Sequence, residues 1–364
     1  MVELAPAEQS LIQSFLESLR ELPGVHAELL GAEHGSSDPD SGCDARVDLR
    51  TGDRPLTVLI EVRKSLYPRD VRQALWQSRT LSHGAEQRQD RETQFLLVAE
   101  WISPGAKELL RAERIGYFDS GGSLFLPARN AYLYIDKPPP KPLQRSMRSV
   151  FSGRRAQVVH ALLLHEQDWF SVKEIAARAQ VSPSTASEVL SELERLDWLA
   201  SRGQGPAKER HLREPTALLD AWAKQLPFIR KPALRRYYVP GERTDALVKH
   251  IADAFAAHKI SYAISYDAAA QRYAPFLSNV SQVRARVLWA SNAETAIADL
   301  GARPVDEGSN LTITETESAG ELLFSEKVDG IWLASRIQVY LDLLRGEGRA
   351  KELADHLRKE RIGF

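Results

Sequence analysis

Two apolar periods alternate along residues 6 to 136. Leu11, Ile12, Phe15, Leu16 and Leu19 recur three and four positions apart, which gives a helix one apolar face. HAELLGA, ARVDLRT and LTVLIEVRK then read as strand-like runs, the last two flanking the turn Gly52-Asp53. A helix is expected from about Pro68 to Leu81, then an apolar strand over TQFLLVAE. Ser103-Pro104 starts another helix, and GYFDS and SLFLP are expected to be strands around Gly121-Gly122. Helices alternating with strands predict an α/β sandwich on a mixed sheet.

The pattern changes at residue 154. RRAQVVHALLLH is an amphipathic helix, and FSVKEIAARAQVSPSTASEVLSELERLDWLA predicts two more with a tight break. Ser171 and Glu174 form a capping box. Val181 closes the turn, Ser182 caps the next helix, and Pro183 takes its first position, where a missing N–H costs nothing. Ile175, Ala176, Ala179, Val189, Leu190, Leu193 and Leu196 are expected to pack inward. LASRGQGPAKERHLREP then reads as a hairpin with a glycine-rich tip. The whole is a winged helix-turn-helix. Ser182, Ser184, Thr185 and Ser187 would present hydroxyls to phosphates and base edges, while Arg202, Lys208, Arg210 and Arg213 would form a basic wing. Arg154 and Arg155 add charge in front, so duplex DNA is the expected partner.

From residue 240 helix and strand mix again. TDALVKHIADAFAAHK predicts a helix, SYAISYDAAAQRYAPFL a strand running into one, and RARVLWAS, LTITET and ELLFSEKVDGIWLAS strands. SRIQVYLDLLRGEGRAKELADHLRKE is a helix pair broken at Gly346 to Gly348. Tyr266, Asp267 and Asp342 have no partner at fixed spacing, and His250, His258 and His356 read as surface residues.

Two proline-punctuated breaks divide these blocks. Lys137 to Pro142 places four prolines in six residues, and Lys137 to Arg155 carries six basic residues and no acidic one. PFIRKPALRRYYVPGE is softer. An α+β multidomain chain follows: an α/β domain over 1–136, a basic linker over 137–153, the winged helix over 154–226 and an α/β domain over 227–364. The 364-residue length agrees with two or three cores. Net charge is −1, so affinity for nucleic acid must come from local patches. The single cysteine, Cys43, excludes an intrachain disulfide and a cysteine zinc cluster and fits a reducing cytoplasm. The acidic amphipathic start is unlike a signal peptide, and no apolar run is long enough to span a bilayer.

In the first domain, Asp48 lies on the polar face of its strand, and Glu61 and Arg63 share one face of the next. Two carboxylates on adjoining strands can hold a divalent metal, Mg2+, and Arg69, Arg72 and Gln73 would then track a phosphate backbone. This order of elements resembles the PD-(D/E)xK restriction-endonuclease-like fold over residues 7 to 136. The resemblance implies a catalytic set on Asp48, Glu61, Arg63 and Gln73, with Asp48 and Glu61 as metal ligands. The departure is that the family's lysine falls on Arg63; Lys64 is one residue late and faces the other side. An arginine cannot give up a proton near neutral pH. The expectation is a vestigial site with no cofactor; the alternative is a metal-dependent endonuclease targeted by its winged helix.

YAISYDAAAQRYAPFL and SRIQVYLDLLRGEGRAKELADHLRK, with a winged helix upstream, resemble the AbiEi-type antitoxins of abortive-infection, type IV toxin–antitoxin systems, over residues 150 to 364. The resemblance implies a cytoplasmic transcriptional autoregulator that opposes a nucleotidyltransferase-like toxin without a stable complex. Homodimerisation stays open, as does a pure protein-interaction role.

Overall fold

The computed structural model describes residues 5–31, 43–51, 54–72, 74–75, 92–128, 132–138, 149–165, 168–241, 243–276 and 280–364. The chain forms two compact units, Met1–Met147 with Glu192–Asp197, and Arg148–Ser191 with Trp198–Phe364.

The first unit opens with helix α1 (Pro6–Arg20), whose Leu11, Ile12, Phe15, Leu16 and Leu19 are all buried, as the spacing predicts. β1 (Val25–Gly31), β2 (Ala45–Thr51) and β3 (Arg54–Leu66) follow as an antiparallel meander. A helix begins at residue 68, and β4 (Glu92–Ile102) returns parallel to β3. Helix α2 (Pro104–Ala112) is capped by Ser103, which accepts from Ala106 N–H at 3.3 Å, and leads into β5 (Gly116–Asp119), parallel to β4. β6 (Leu124–Pro127) and a strand the sequence pattern does not reveal, β7 (Tyr132–Ile135), complete a seven-stranded sheet in chain order. In β7 Tyr132 and Tyr134 are exposed, while Leu133 and Ile135 pack partly buried against the core.

Period-two alternation divides that sheet between two cores. Val47, Leu49, Val58, Ile60, Val62, Leu96 and Val98 pack with α1. Leu59, Leu97 and Ala99 face the opposite way, with Val71, Ala106 and Leu110. On that second side Lys107 is buried and pairs with Asp119 at 2.7 Å, its charge compensated where water is absent.

The second unit holds the winged helix and the C-terminal sheet. Helices α3 (Gly153–Leu163), α4 (Val172–Arg178) and α5 (Pro183–Arg195) precede the hairpin β8 (Leu199–Arg202) and β9 (Glu209–Leu212). Helix α6 (Pro215–Gln225) follows. Then come β10 (Leu234–Tyr238), α7 (Thr244–Ala257), β11 (Tyr262–Ser265), α8 (Tyr266–Tyr273), β12 (Val283–Val287) and α9 (Ala293–Asp299). The chain closes with β13 (Arg303–Pro304), β14 (Leu311–Glu315), β15 (Glu326–Val328), β16 (Ile331–Leu333), α10 (Arg336–Leu343) and α11 (Ala350–Leu357). The mixed sheet runs β13-β10-β14-β12-β11-β16-β15. Glu321 and Leu322, the start of the expected strand ELLFSEKVDGIWLAS, belong instead to a 3-10 turn over Ala319–Leu322.

Asp342 does find partners. Arg286 from β12 reaches Asp342 Oδ1 at 3.0 Å, Ser265 Oγ–H donates to Oδ2 at 2.5 Å, and Gln338 Nε2–H donates to Oδ1 at 2.9 Å. These residues meet because β11 and β12 are neighbours and α10 lies over the end of β11.

Candidate nucleic-acid interface

The helix-turn-helix is built by its caps. Ser171 accepts from Glu174 N–H at 3.2 Å while Glu174 Oε2 accepts from Ser171 N–H at 3.2 Å, so two of the donors orphaned at the start of α4 are satisfied. The break after α4 is made by Gln180, whose φ of 50° lies in the left-handed region and turns the chain at once. Ser182 then caps α5 by accepting from Thr185 N–H at 3.1 Å, with its hydroxyl 2.9 Å from Thr185 Oγ1. Behind the helix, Ala186, Val189, Leu190 and Leu193 are buried, together with Ile175, Ala176 and Ala179 of the preceding helix.

This packing fixes which residues of α5 face outward. Ser182 and Ser184 are exposed, and Thr185 and Ser187 are half-buried, one turn along the same end of the helix. Their hydroxyls are short donors and acceptors at a helix N-terminus, where the first N–H groups and the dipole favour phosphate.

The wing departs from expectation. Arg210 is 4% exposed, because it takes the inward position of β9 and its backbone exchanges hydrogen bonds with Phe170 at 2.8 and 2.9 Å. It is a residue of the domain core, not of a DNA-facing surface. Arg202 is exposed, yet its Nε and Nη2 reach Glu209 Oε2 at 2.7 and 2.6 Å, and its guanidinium lies 4.3 Å from the Trp169 ring centre. Lys208 is half-buried, while Arg213 is exposed at the base of the hairpin. In front, Arg154 is exposed and Arg155 turns to Glu188 of α5 at 3.4 Å. The cations displayed are therefore Arg154, Arg213 and Arg202, the last partly neutralised. At the tip, Gly203 has a φ of 72°, and an added Cβ would lie 2.6 Å from the Ala207 carbonyl oxygen, so the hairpin closes only with glycine there.

In the first unit the expected catalytic set does not converge. The β2–β3 register puts Asp48 opposite Thr57, whose hydroxyl donates to Asp48 Oδ1 at 3.2 Å, with Glu28 opposite on the other side. Glu61 lies four positions beyond Thr57 on β3, about 13 Å at the rise of a strand. The carboxylate brought near Glu61 is Asp44, just before β2. Its N–H donates to the Ile60 carbonyl and its Oδ2 accepts from Val62 N–H, both at 2.7 Å. Asp44 lies in a bend outside any period, and only the register reveals it. Glu61 is buried and ion-paired with Arg63, whose side chain is half exposed, and Glu61 Oε2 has no hydrogen-bond partner. Arg69 and Arg72 are exposed on the helix that begins at residue 68. Gln73 lies outside the described residues. Among the described residues no three His, Cys, Asp or Glu side chains cluster as a metal site, and no helix is long and apolar enough to cross a membrane.

Residues 154–203 match the family model described as the IclR helix-turn-helix domain, a stretch running from the start of α3 to the tip of the wing. This IclR-type DNA-binding domain supports a DNA-binding transcriptional regulator. No curated protein and no solved structure matches it.

Proposed function

We propose that the regulator reads double-stranded DNA with the N-terminal end of α5 in the major groove, and that it is the antitoxin of a type IV, abortive-infection toxin–antitoxin system. The observation that carries the DNA reading is the group of hydroxyls on Ser182, Ser184, Thr185 and Ser187 within the IclR-type match, opposite a buried apolar face. Arg154 and Arg213 contact phosphates, which position the protein without reading sequence. The antitoxin role rests on the AbiEi-type resemblance over residues 150 to 364. The strand-into-helix at Tyr262–Tyr273 and the helix pair after Ser335 support it, since they fall on the segments that carry the likeness. The partner is a nucleotidyltransferase-like toxin opposed without a stable complex, the site of action is the cytoplasm, and the bound form on a two-fold operator is a homodimer. Fluorescence anisotropy with DNA from upstream of its own gene, against random duplex, tests the first claim; equal affinity for both refutes it. Growth rescue on co-expression with a neighbouring nucleotidyltransferase tests the second.

The N-terminal domain serves as a non-cleaving scaffold in this reading. A helix, three antiparallel strands, a helix and a parallel strand is the order the PD-(D/E)xK resemblance implies. The expected pair, Asp48 with Glu61, does not fit a divalent ion; the carboxylate beside Glu61 is Asp44, whose Oδ2 already accepts from Val62 N–H. Asp48 is a strand-length away from Glu61, and the cation beside Glu61 is the Arg63 guanidinium. Absence of plasmid cleavage with magnesium or manganese is the expected result. Cleavage lost in Glu61→Ala would make the chain a nuclease.

A further inference from the structure

We propose that two copies of this chain meet along β1, pairing antiparallel across a two-fold axis at Ala27. The proposal rests on the homodimer reading above and gives that dimer its surface. Among the described residues each seven-stranded sheet ends on strands with nothing beyond them: β1 and β7 in one, β13 and β15 in the other. An open edge offers unpaired N–H and C=O groups to another strand, and proteins commonly protect it by shortness, proline or lysine. β13 has two residues, one of them Pro304; β15 has three and carries Lys327; β7 has four. β1 has seven, Val25–Gly31, with no proline, lysine or arginine among them. It is the long, unprotected edge.

Parity and charge decide what fits there. Val25 and Ala27 turn to the α1 core, while Leu29, of the same parity, is 43% exposed. His26 and Glu28 face the other way and are exposed. With Asp48 and Arg50 they line a groove of about 760 Å³. Within the sheet they are poorly matched: Glu28 stands opposite the Asp48 carboxylate, and His26 opposite Arg50. Two carboxylates directly opposite are unfavourable. Neither His26 nor Glu28 makes a side-chain hydrogen bond or ion pair among the described residues.

An added antiparallel strand keeps both faces continuous only if paired residues share parity, so a two-fold axis must fall on a residue. An axis on His26 leaves only Val25 and Ala27 to pair, because the strand begins at Val25. An axis on Glu28 sets that carboxylate against its own copy. An axis on Ala27 sets Val25 opposite Leu29, apolar on apolar, and His26 opposite Glu28 at both contacts, with Cβ atoms about 5 Å apart. It uses the span from Val25 to Leu29, and the register of β1 is regular up to Leu29, where a bulge follows. A second copy thus supplies Glu28 and Leu29 with the neighbours that β2 does not. So short an interface makes a weak dimer in free solution, which two operator half-sites strengthen by raising the effective concentration.

Sedimentation equilibrium of the full-length chain, free and on duplex from upstream of its own gene, tests this. His26→Glu sets carboxylate against carboxylate at both contacts and should raise the dimer dissociation constant about tenfold. Combining it with Glu28→His restores opposite partners and should bring the constant back to within about threefold of wild type. Leu29→Lys, a charge on the apolar side of the edge, should weaken the dimer as much as His26→Glu does. Unfolding in urea, expected to be unchanged for these exposed positions, checks that each variant folds. Association indifferent to both His26→Glu and Leu29→Lys overturns the β1 interface and leaves the homodimer on another surface. Weakening by His26→Glu that the exchange does not reverse overturns the axis at Ala27. A chain that is monomeric in solution and binds the duplex as one copy overturns the homodimer reading itself.

Discussion

Each unit contains a carboxylate–guanidinium pair, and the two are made in opposite ways. Glu61 and Arg63 are two residues apart on one strand, Glu61 buried and Arg63 with nearly half its side chain in water (47%). Arg286 and Asp342 are 56 residues apart, and both are buried. In the first pair the cation is solvated whether or not the anion is present. In the second, each charge depends on the other and on Glu321, Ser265 and Gln338 for its compensation. A local pair of this kind is a surface feature with one foot in the core, and a long-range pair is a condition of folding.

The largest test of that contrast is removal of the anion. Asp342→Ala leaves a buried guanidinium half-compensated and should cost about 3 to 5 kcal/mol in urea unfolding, enough to unfold the second unit under mild conditions. Glu61→Gln removes a buried charge with one unpartnered oxygen while Arg63 turns to water, and stability should stay within about 1 kcal/mol of wild type. Comparable losses in both would erase the distinction.

A second test uses pH. Burial, with the Arg286 charge nearby, lowers the His160 pKa to about 3, against 6.5 for an ordinary imidazole. On acidification the unfolded chain therefore takes the proton first. The stability contributed by the neutral ring is complete above pH 6.5 and is lost below it, at about 1.4 kcal/mol per pH unit. Between pH 6.5 and 5 the second unit should lose about 2 kcal/mol that His160→Gln does not lose. Parallel curves for the two proteins would show that the ring is already protonated in the fold.

The wing offers a finer comparison between two arginines on neighbouring stretches. Arg213→Ala should lower the slope of log affinity against log salt by about one and leave stability unchanged. Arg210→Ala should do the reverse, because its side chain is packed inside. Smallest in free energy is the readout of α5. Ser184→Ala and Thr185→Ala should narrow the ratio of operator to random binding more than they weaken binding itself, about 1 kcal/mol per lost contact. Intact ratios would place recognition in DNA shape.

Arg63→Lys asks whether the first unit retains the geometry of its resemblance. The carboxylate beside Glu61 is Asp44, whose Oδ2 is held by Val62 N–H, and the expected result is no gain of metal-dependent cleavage, read on supercoiled plasmid.

What was legible along the chain was whatever is local. The period of α1, the capping box of Ser171 with Glu174, the Ser182 cap and Pro183 that start the recognition helix, the parity of Glu61 with Arg63, and the strand that runs into α8 all depend on residues within a few positions of one another. Propensity, capping and alternation act at that range. Parity says which face a residue takes but not what stands opposite. For that reason Asp48 was paired with Glu61 in expectation, and the register brought Asp44 instead. Arg210 went inward for the same reason, through a bridge to Phe170 on a distant segment. The Arg286–Asp342 cluster needed the order of seven strands and the helix laid across them. Its partners are set by loop closure and burial over tens of residues, and no spacing in the sequence records that.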